Sequence, residues 1–192
     1  MTEPLVCARV DSLVGEMWIA ATPEDGVVRA AGRATPHELE LRLEASLAAR
    51  GMVEGSLPDA VSAVEAWNDG DFAPIGEVAV AQQGGPFAQR VWSAMRRIPP
   101  GEPMSYQELA AAAGSPRAMR AVGTACARNA VGIFVPCHRV IRAHGRLGSY
   151  GFGGVGIKAA MLTHEAGGGL GKVALALTQA HEDDRAPTAV TA

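Results

Sequence analysis

Hydrophobic and polar positions change period several times along this chain. Over Leu5 to Gly32, LVCARVDSLVGEMWIAATPEDGVVRAAG, short apolar runs alternate with turn residues, which predicts strands, with Asp25-Gly26 as a hairpin-type turn. From Thr35 the period becomes helical. Leu39, Leu43 and Leu47 share a face, Thr35 is the expected N-cap with Pro36 in the first turn and Glu38 as its capping-box partner, and Gly51 is the stop. LPDAVSAVEAWNDG predicts a second helix closed by Gly70, and EVAVA a further strand. This half reads as a small α/β unit without a cluster of chemical side chains. Its lone His37 and Cys7 are expected to be surface or structural groups.

QQGGPF interrupts the pattern and marks a linker. FAQRVWSAMRRIPPG then predicts a helix with Phe87, Val91, Met95 and Ile98 on one face, ended by Pro99-Pro100-Gly101. Ser105 is placed to cap the next helix with Glu108 three residues on, and Gly114 ends it. Ser115-Pro116 opens another, from Arg117 to about Ala127. Two short helices joined by a tight glycine-containing turn form the helix-turn-helix pattern, and equally an ordinary helical hairpin in a bundle. VGIKAAMLTHEAG predicts a last helix with Ile157, Met161 and Leu162 inward, and KVALALTQA in the tail has the composition for a further turn or two.

Composition narrows the class. A hydrophobic fraction of 48% over 192 residues supplies a packed core and argues against a disordered chain. No apolar run approaches the roughly 20 residues that cross a bilayer. The start, MTEPLVCARVDS, lacks the basic-then-apolar order of a secretory signal, so a cytoplasmic protein with no membrane partner is expected. Three widely spaced cysteines, Cys7, Cys126 and Cys137, with no CxxC, argue against a disulfide framework and a structural zinc site. The net charge of −3 hides an asymmetry. Residues 1–85 carry 5 basic and 14 acidic side chains, whereas residues 86–170 carry 10 basic and 3 acidic. A basic second half suits a polyanion, and Arg117, Arg120 and Arg128 with small Ala118 and Ala121 would let the second helix approach one closely.

The sharpest chemistry lies in IFVPCHRVIRAHGRLGSYG, residues 133–151. A cysteine attacks as its thiolate, and His138 beside it, Arg139 and Arg142 after it, and the start of a short helix after Pro136 would each favour that form. A histidine base works best when a third group orients it. Glu165 is the only acidic residue between Glu108 and the tail, which makes Cys137–His138–Glu165 the candidate constellation. A buried thiol beside a surface histidine is the plainer alternative for an isolated Cys-His pair.

VPCHRVI, with SYQELAAAAGSPRAMRAVG before it and GSYG, a lysine and LTHEAG after it, resembles the O6-alkylguanine-DNA alkyltransferases. The likeness runs from Phe87 to about Ala166. It implies an α+β chain: an N-terminal ribonuclease-H-like α/β domain over 1–82 and a mainly helical winged helix-turn-helix domain that binds DNA and carries the chemistry over 86–170. The tail over 171–192, which follows a run of glycines and ends EDDRAPTAVTA, is expected from its composition to be mobile. The implied activity is direct-reversal repair, in which Cys137 takes the alkyl group from O6 of guanine, and from O4-alkylthymine, once and irreversibly. His138 would take the thiol proton through a water, Glu165 would orient His138, and Tyr106 would donate to guanine N3. Arg120 would wedge into the duplex where the nucleotide has turned out, with Arg117, Arg128 and Ala121 on the same minor-groove surface. Asn129 would support the turn into the active-site strand. The carbonyls of Cys137 and Val140, the N–H near Gly151, and Tyr150 would line the base pocket. No metal or cofactor is implied, and the partner is double-stranded DNA, bound by a monomer or cooperatively along the strand.

Physical chemistry supports that set. A target atom inside the stack must be flipped out, at a few kcal/mol, and an inserted side chain offsets part of that cost. A thioether has no carbonyl for water to attack, so the chain should act once. Between Tyr150 and Lys158 the sequence YGFGGVGIK is one residue longer than the family spacing, which alters the pocket lip. The rival reading is a non-catalytic sensor of alkylation damage.

Overall fold

The computed structural model describes residues 3–168, so the tail expected over 171–192 lies outside the described residues. The alternating N-terminal segment forms β1 (Leu5–Ser12), β2 (Gly15–Ala21) and β3 (Val28–Gly32), joined by tight turns. Both β1–β2 and β2–β3 pair antiparallel, and a fourth strand, β4 (Met52–Glu54), lies parallel to β1, giving the order β3-β2-β1-β4. The period of two puts Leu5, Cys7, Ala20 and Ala30 on one face, covered by Leu39 with Leu43 and Leu47. The other face, with Val10, Met17 and Ile19, packs against Ala60, Val64 and Trp67 of α3 (Pro58–Asn68), a helix followed by Gly70 at φ 91.

The helix expected over Thr35–Gly51 is broken. Thr35 and Glu38 form their capping box on α1 (Pro36–Glu40), but the chain then leaves the helical path and resumes as α2 (Ala45–Ala48). Between them the Arg42 guanidinium donates to the carbonyls of Asn129 (3.5 Å) and Gly151 (3.2 Å) and covers the Phe152 ring. These long-range contacts outweigh the local hydrogen bonds of a short helix. The expected EVAVA strand also differs. Glu77 ends α4 (Ala73–Glu77), and only Val80 pairs, as a single bridge to Val28. β4 has no counterpart in the sequence reading, since only three residues pair.

In the second half, α5 (Pro86–Met95) buries Val91, Trp92 and Met95, and Ile98 just beyond it is also buried. Ser105, with Met104, pairs as β5 (Met104–Ser105) with β6 (Val140–Ile141), and caps α6 (Tyr106–Ala112) through a capping box with Glu108. Gly114, at φ 77, ends that hairpin arm. The next helix, α7 (Met119–Ala127), starts two residues later than the sequence suggested: Ala118 N–H closes a turn on the Ser115 carbonyl, and Arg117 lies in that turn. The last helix is α8 (Gly154–Glu165), where Ile157 and Met161 are buried and Leu162 partly so.

One core runs through both halves. The edge of β3 joins them. Val28 exchanges hydrogen bonds with Ala79 and Ala81, and Ala31 with Ala130 and Gly132. Phe152 seals the junction, packed so closely on Gly32 and Gly132 that a Cβ on Gly32 would collide with its Cδ1.

Candidate active site

Cys137 opens a 3-10 turn, Cys137–Arg139, after Pro136, within a stretch buried from Asn129 to Val140. This segment is not the strand expected after the helical pair. Its ladder stops at the single Ala31–Val131 bridge, and the backbone then folds over Ile133 at φ 65. That conformation is rare for a β-branched residue and costs on the order of 1–3 kcal/mol. Asn129 holds the turn in place. Its Nδ2 donates to the Val135 carbonyl (2.7 Å) and to Cys137 Sγ (3.3 Å), and its Oδ1 accepts from Val131 N–H (3.1 Å) and Gln82 Nε2 (3.0 Å).

His138 and Glu165 meet in the interior. His138 Nε2 lies 2.9 Å from Glu165 Oε1, and neither side chain is exposed. The same oxygen accepts from Trp67 Nε1 (3.0 Å) and Arg139 Nη2 (2.9 Å), while Oε2 accepts from Arg139 Nε (2.8 Å). Arg139 is therefore engaged by Glu165 and the Ile98 carbonyl (2.6 Å), and does not serve the sulfur as its neighbouring position suggested. His138 Nδ1 is buried and has no hydrogen-bond partner among the described residues.

Burial opposes ionisation of Glu165, but the hydrogen bonds from His138 and Arg139 and the permanent charge of Arg139 outweigh it and hold the carboxyl far below its ordinary range. Burial pushes His138 below the ordinary imidazole value, and the Arg139 and Lys158 cations add to this against the pull of Glu165. Because the permanent charge of Arg139 already matches the carboxylate, the neutral imidazole is favoured. Nε2–H then donates to Glu165, and the lone pair of Nδ1 remains available as a base. Burial raises Cys137 as well, only partly countered by the Asn129 hydrogen bond and the Lys158 charge. The resting sulfur is thus a thiol beside a neutral base.

Lys158 is a buried cation that sequence reasoning used only as a spacing marker. Its Nζ donates to the carbonyls of Val140 (2.5 Å) and Leu147 (2.8 Å), and burial lowers its pKa. A lone lysine on the apolar face of GIKAAML was the available signal. The Cys137 carbonyl accepts from Val140 N–H, so both carbonyls expected to meet a base already hold one donor and keep one lone pair. The Tyr150 ring lies 6.4 Å from His138, and its hydroxyl reaches Met161 Sδ. The Gly151 carbonyl is taken by Arg42. Tyr106, first residue of α6, packs half-buried against the core that contains Cys137, and burial raises its phenol. Trp67 and Gln82, which carry second contacts to Glu165 and Asn129, had no local sequence signal.

Arg117, Arg120, Ala121 and Arg128 are all exposed, on α7 and its flanks. Among the described residues, no hydrogen bond or ion pair engages the three guanidinium groups. Met119, 48% exposed beside Arg120, is an apolar side chain in solvent that the sequence reading did not single out. His37 is exposed and Cys7 buried.

Residues 86–167 match the family described as 6-O-methylguanine DNA methyltransferase, DNA binding domain. The crystal structure of Mycobacterium tuberculosis OGT in complex with DNA superposes with a TM-score of 0.70 at 31% identity, over 90% of this chain and 98% of that one. The chain belongs to the O6-alkylguanine-DNA alkyltransferase family. Two curated relatives of the chain are similar over its second half. The constitutive methylated-DNA–protein-cysteine methyltransferase of Bacillus subtilis is 52% identical over 86 residues, which are 45% of this chain and 52% of that protein. The bifunctional transcriptional activator/DNA repair enzyme Ada of Escherichia coli is 52% identical over 84 residues, 44% of this chain and 23% of Ada. The chain thus spans about half or less of the length of these relatives. No described helix is long and apolar enough to cross a membrane.

Proposed function

We propose that the chain repairs O6-alkylguanine in double-stranded DNA, and O4-alkylthymine, by transferring the alkyl group to Cys137 once per molecule. The observation that carries this reading is the buried thiol held by Asn129 next to a neutral His138, whose far nitrogen is fixed by Glu165. The thiol proton passes to His138 Nδ1 through a water. Sγ forms a bond to the alkyl carbon as the carbon–O6 bond breaks, and the electron pair leaves on the purine, where Tyr106 donates to N3. The proton held by His138 returns through solvent to the departing base, so the products are guanine (or thymine) and a thioether, and the chemistry needs no metal or cofactor. Tyr106, with its phenol raised by burial, keeps its proton at neutral pH and so can donate.

We read residues 86–170 as a winged helix-turn-helix domain, with α6 and α7 as the helical pair and β5–β6 as its wing, and residues 1–82 as a ribonuclease-H-like domain. In this reading α7 enters the minor groove, Arg120 fills the space of the flipped nucleotide, and Arg117, Arg128 and Ala121 lie along the backbone. Val140, Tyr150, Gly151 and Asn129 surround the extruded base. The protein acts as a monomer, with cooperative binding along DNA compatible with the exposed basic surface. A non-catalytic damage sensor would not need the network around Cys137. A lesion titration separates the two: with excess duplex containing O6-methylguanine, lesion loss stops at one per chain, and Cys137→Ser removes none while still binding duplex. Continued turnover, or repair by Cys137→Ser, overturns the proposal.

A further inference from the structure

We propose that Gln82 is a positioning residue for the Cys137 sulfur, acting through Asn129, and that through it the N-terminal sheet takes part in the reaction. The inference rests on the alkyl-transfer reading of Cys137. Gln82 belongs to the stretch between the halves, whose sequence reads as a spacer. Its side chain is nevertheless fixed at both ends: Oε1 accepts from Ala130 N–H (2.6 Å), and Nε2 donates to Asn129 Oδ1 (3.0 Å). Its own carbonyl accepts from Gln89 Nε2 (2.7 Å) at the start of α5.

The two ends of a side-chain amide are not equivalent, and here the difference matters. Asn129 Oδ1 faces two donors, Val131 N–H and Gln82 Nε2, so Nδ2 must face the Val135 carbonyl and Cys137 Sγ. Turned over, the same amide would set an acceptor against that carbonyl and against the sulfur. Ala130 N–H fixes which end of Gln82 points at Asn129, so the orientation passes from backbone to Gln82 to Asn129 to Sγ. The Asn129 donor gains strength as the sulfur acquires charge, because hydrogen bonds to ions are roughly twice as strong as neutral ones. Both backbone anchors of this chain hang on β3. Val28 holds Ala79 and Ala81 next to Gln82, and Ala31 holds Ala130 and Gly132.

The discriminating variant is Gln82→Glu. It keeps size and the acceptor for Ala130 N–H, but presents a carboxylate oxygen to Asn129 Oδ1 and so favours the turned amide. The readout is alkylation of Cys137 by iodoacetamide, which needs no DNA, followed across pH by the mass of the Cys137 peptide. We expect the profile to move up by about one pH unit and the neutral-pH rate to fall about tenfold. Methyl transfer from DNA falls in parallel, and duplex affinity is unchanged. Gln82→Ala, which removes the donor without adding a repelling oxygen, gives the same shift to a smaller extent and carries the test if the glutamate variant does not fold. Unchanged Cys137 reactivity and pH profile in a folded variant, with only the melting temperature moved, overturns the proposal. If the unsubstituted protein transfers no methyl group, the alkyl-transfer reading fails, while the iodoacetamide profile still decides the role of Gln82.

Discussion

Glu165 is shared by three partners, and the consequences of changing it follow from that sharing. Glu165→Gln leaves Arg139 as a buried cation without its counter-ion, which costs roughly 3–5 kcal/mol when one member of a buried pair is removed. Urea denaturation should show that loss, together with slower methyl transfer, because His138 loses its orienting acceptor. The pH dependence has a definite sign. His138 is lower in the folded chain than the ordinary 6.5, so the unfolded chain binds that proton first as pH falls. Its contribution to stability is complete above about pH 6.5 and declines below it. Glu165, also held low, adds a second decline below the ordinary 4.5. Melting temperatures between about pH 8 and about pH 2.5 should therefore fall in two stages, and His138→Gln should remove the upper one. A flat profile contradicts the neutral, buried imidazole. At this scale the buried grouping of Cys137, His138 and Glu165 was legible because its members are chemically conspicuous and scarce: one cysteine–histidine pair and one isolated carboxylate. Lys158, Trp67 and Gln82 were not, since their partners are carbonyls, a carboxylate and an amide brought from distant parts of the chain.

Elements with their own stop and start signals form where those signals lie. The Thr35–Glu38 and Ser105–Glu108 capping boxes both close, and Gly70 and Gly114 both adopt the positive φ of a helix end. Departures occur where tertiary contacts compete with local ones. The Arg42 contacts break the helix after Glu40, and the β3 edge is divided between residues 79–81 and 130–132, which leaves EVAVA a single bridge. Phe152 belongs to the YGFGGVGIK segment and fills the junction between Gly32 and Gly132. Phe152→Ala should cost about 3–5 kcal/mol in urea denaturation, the range for emptying a buried aromatic site. It should also slow methyl transfer, because Tyr150 and Gly151 lose their support. A loss within experimental error would mean that the loop does not depend on that anchor.

Across the whole molecule the charge asymmetry becomes a surface. Among the described residues the guanidinium groups of Arg117, Arg120 and Arg128, all in the basic second half, are exposed on α7 and its flanks and carry no hydrogen bond or ion pair. If Arg128 meets a phosphate, Arg128→Ala weakens duplex binding regardless of sequence and lowers the salt slope by roughly one. An unchanged slope removes it from the interface. How the halves join was only partly legible: the basic half announced a polyanion, but nothing local in the linker indicated that β3 would bond residues 79–81 and 130–132 or that Gln82 would bond the Asn129 amide beside Cys137. The most direct test of the account is the intact mass of the chain after incubation with duplex DNA carrying O6-methylguanine. The account predicts a gain of one methyl in place of one hydrogen per chain, located on the peptide containing Cys137. An unmodified chain with the lesion removed, or a methyl group on any other residue, would contradict it.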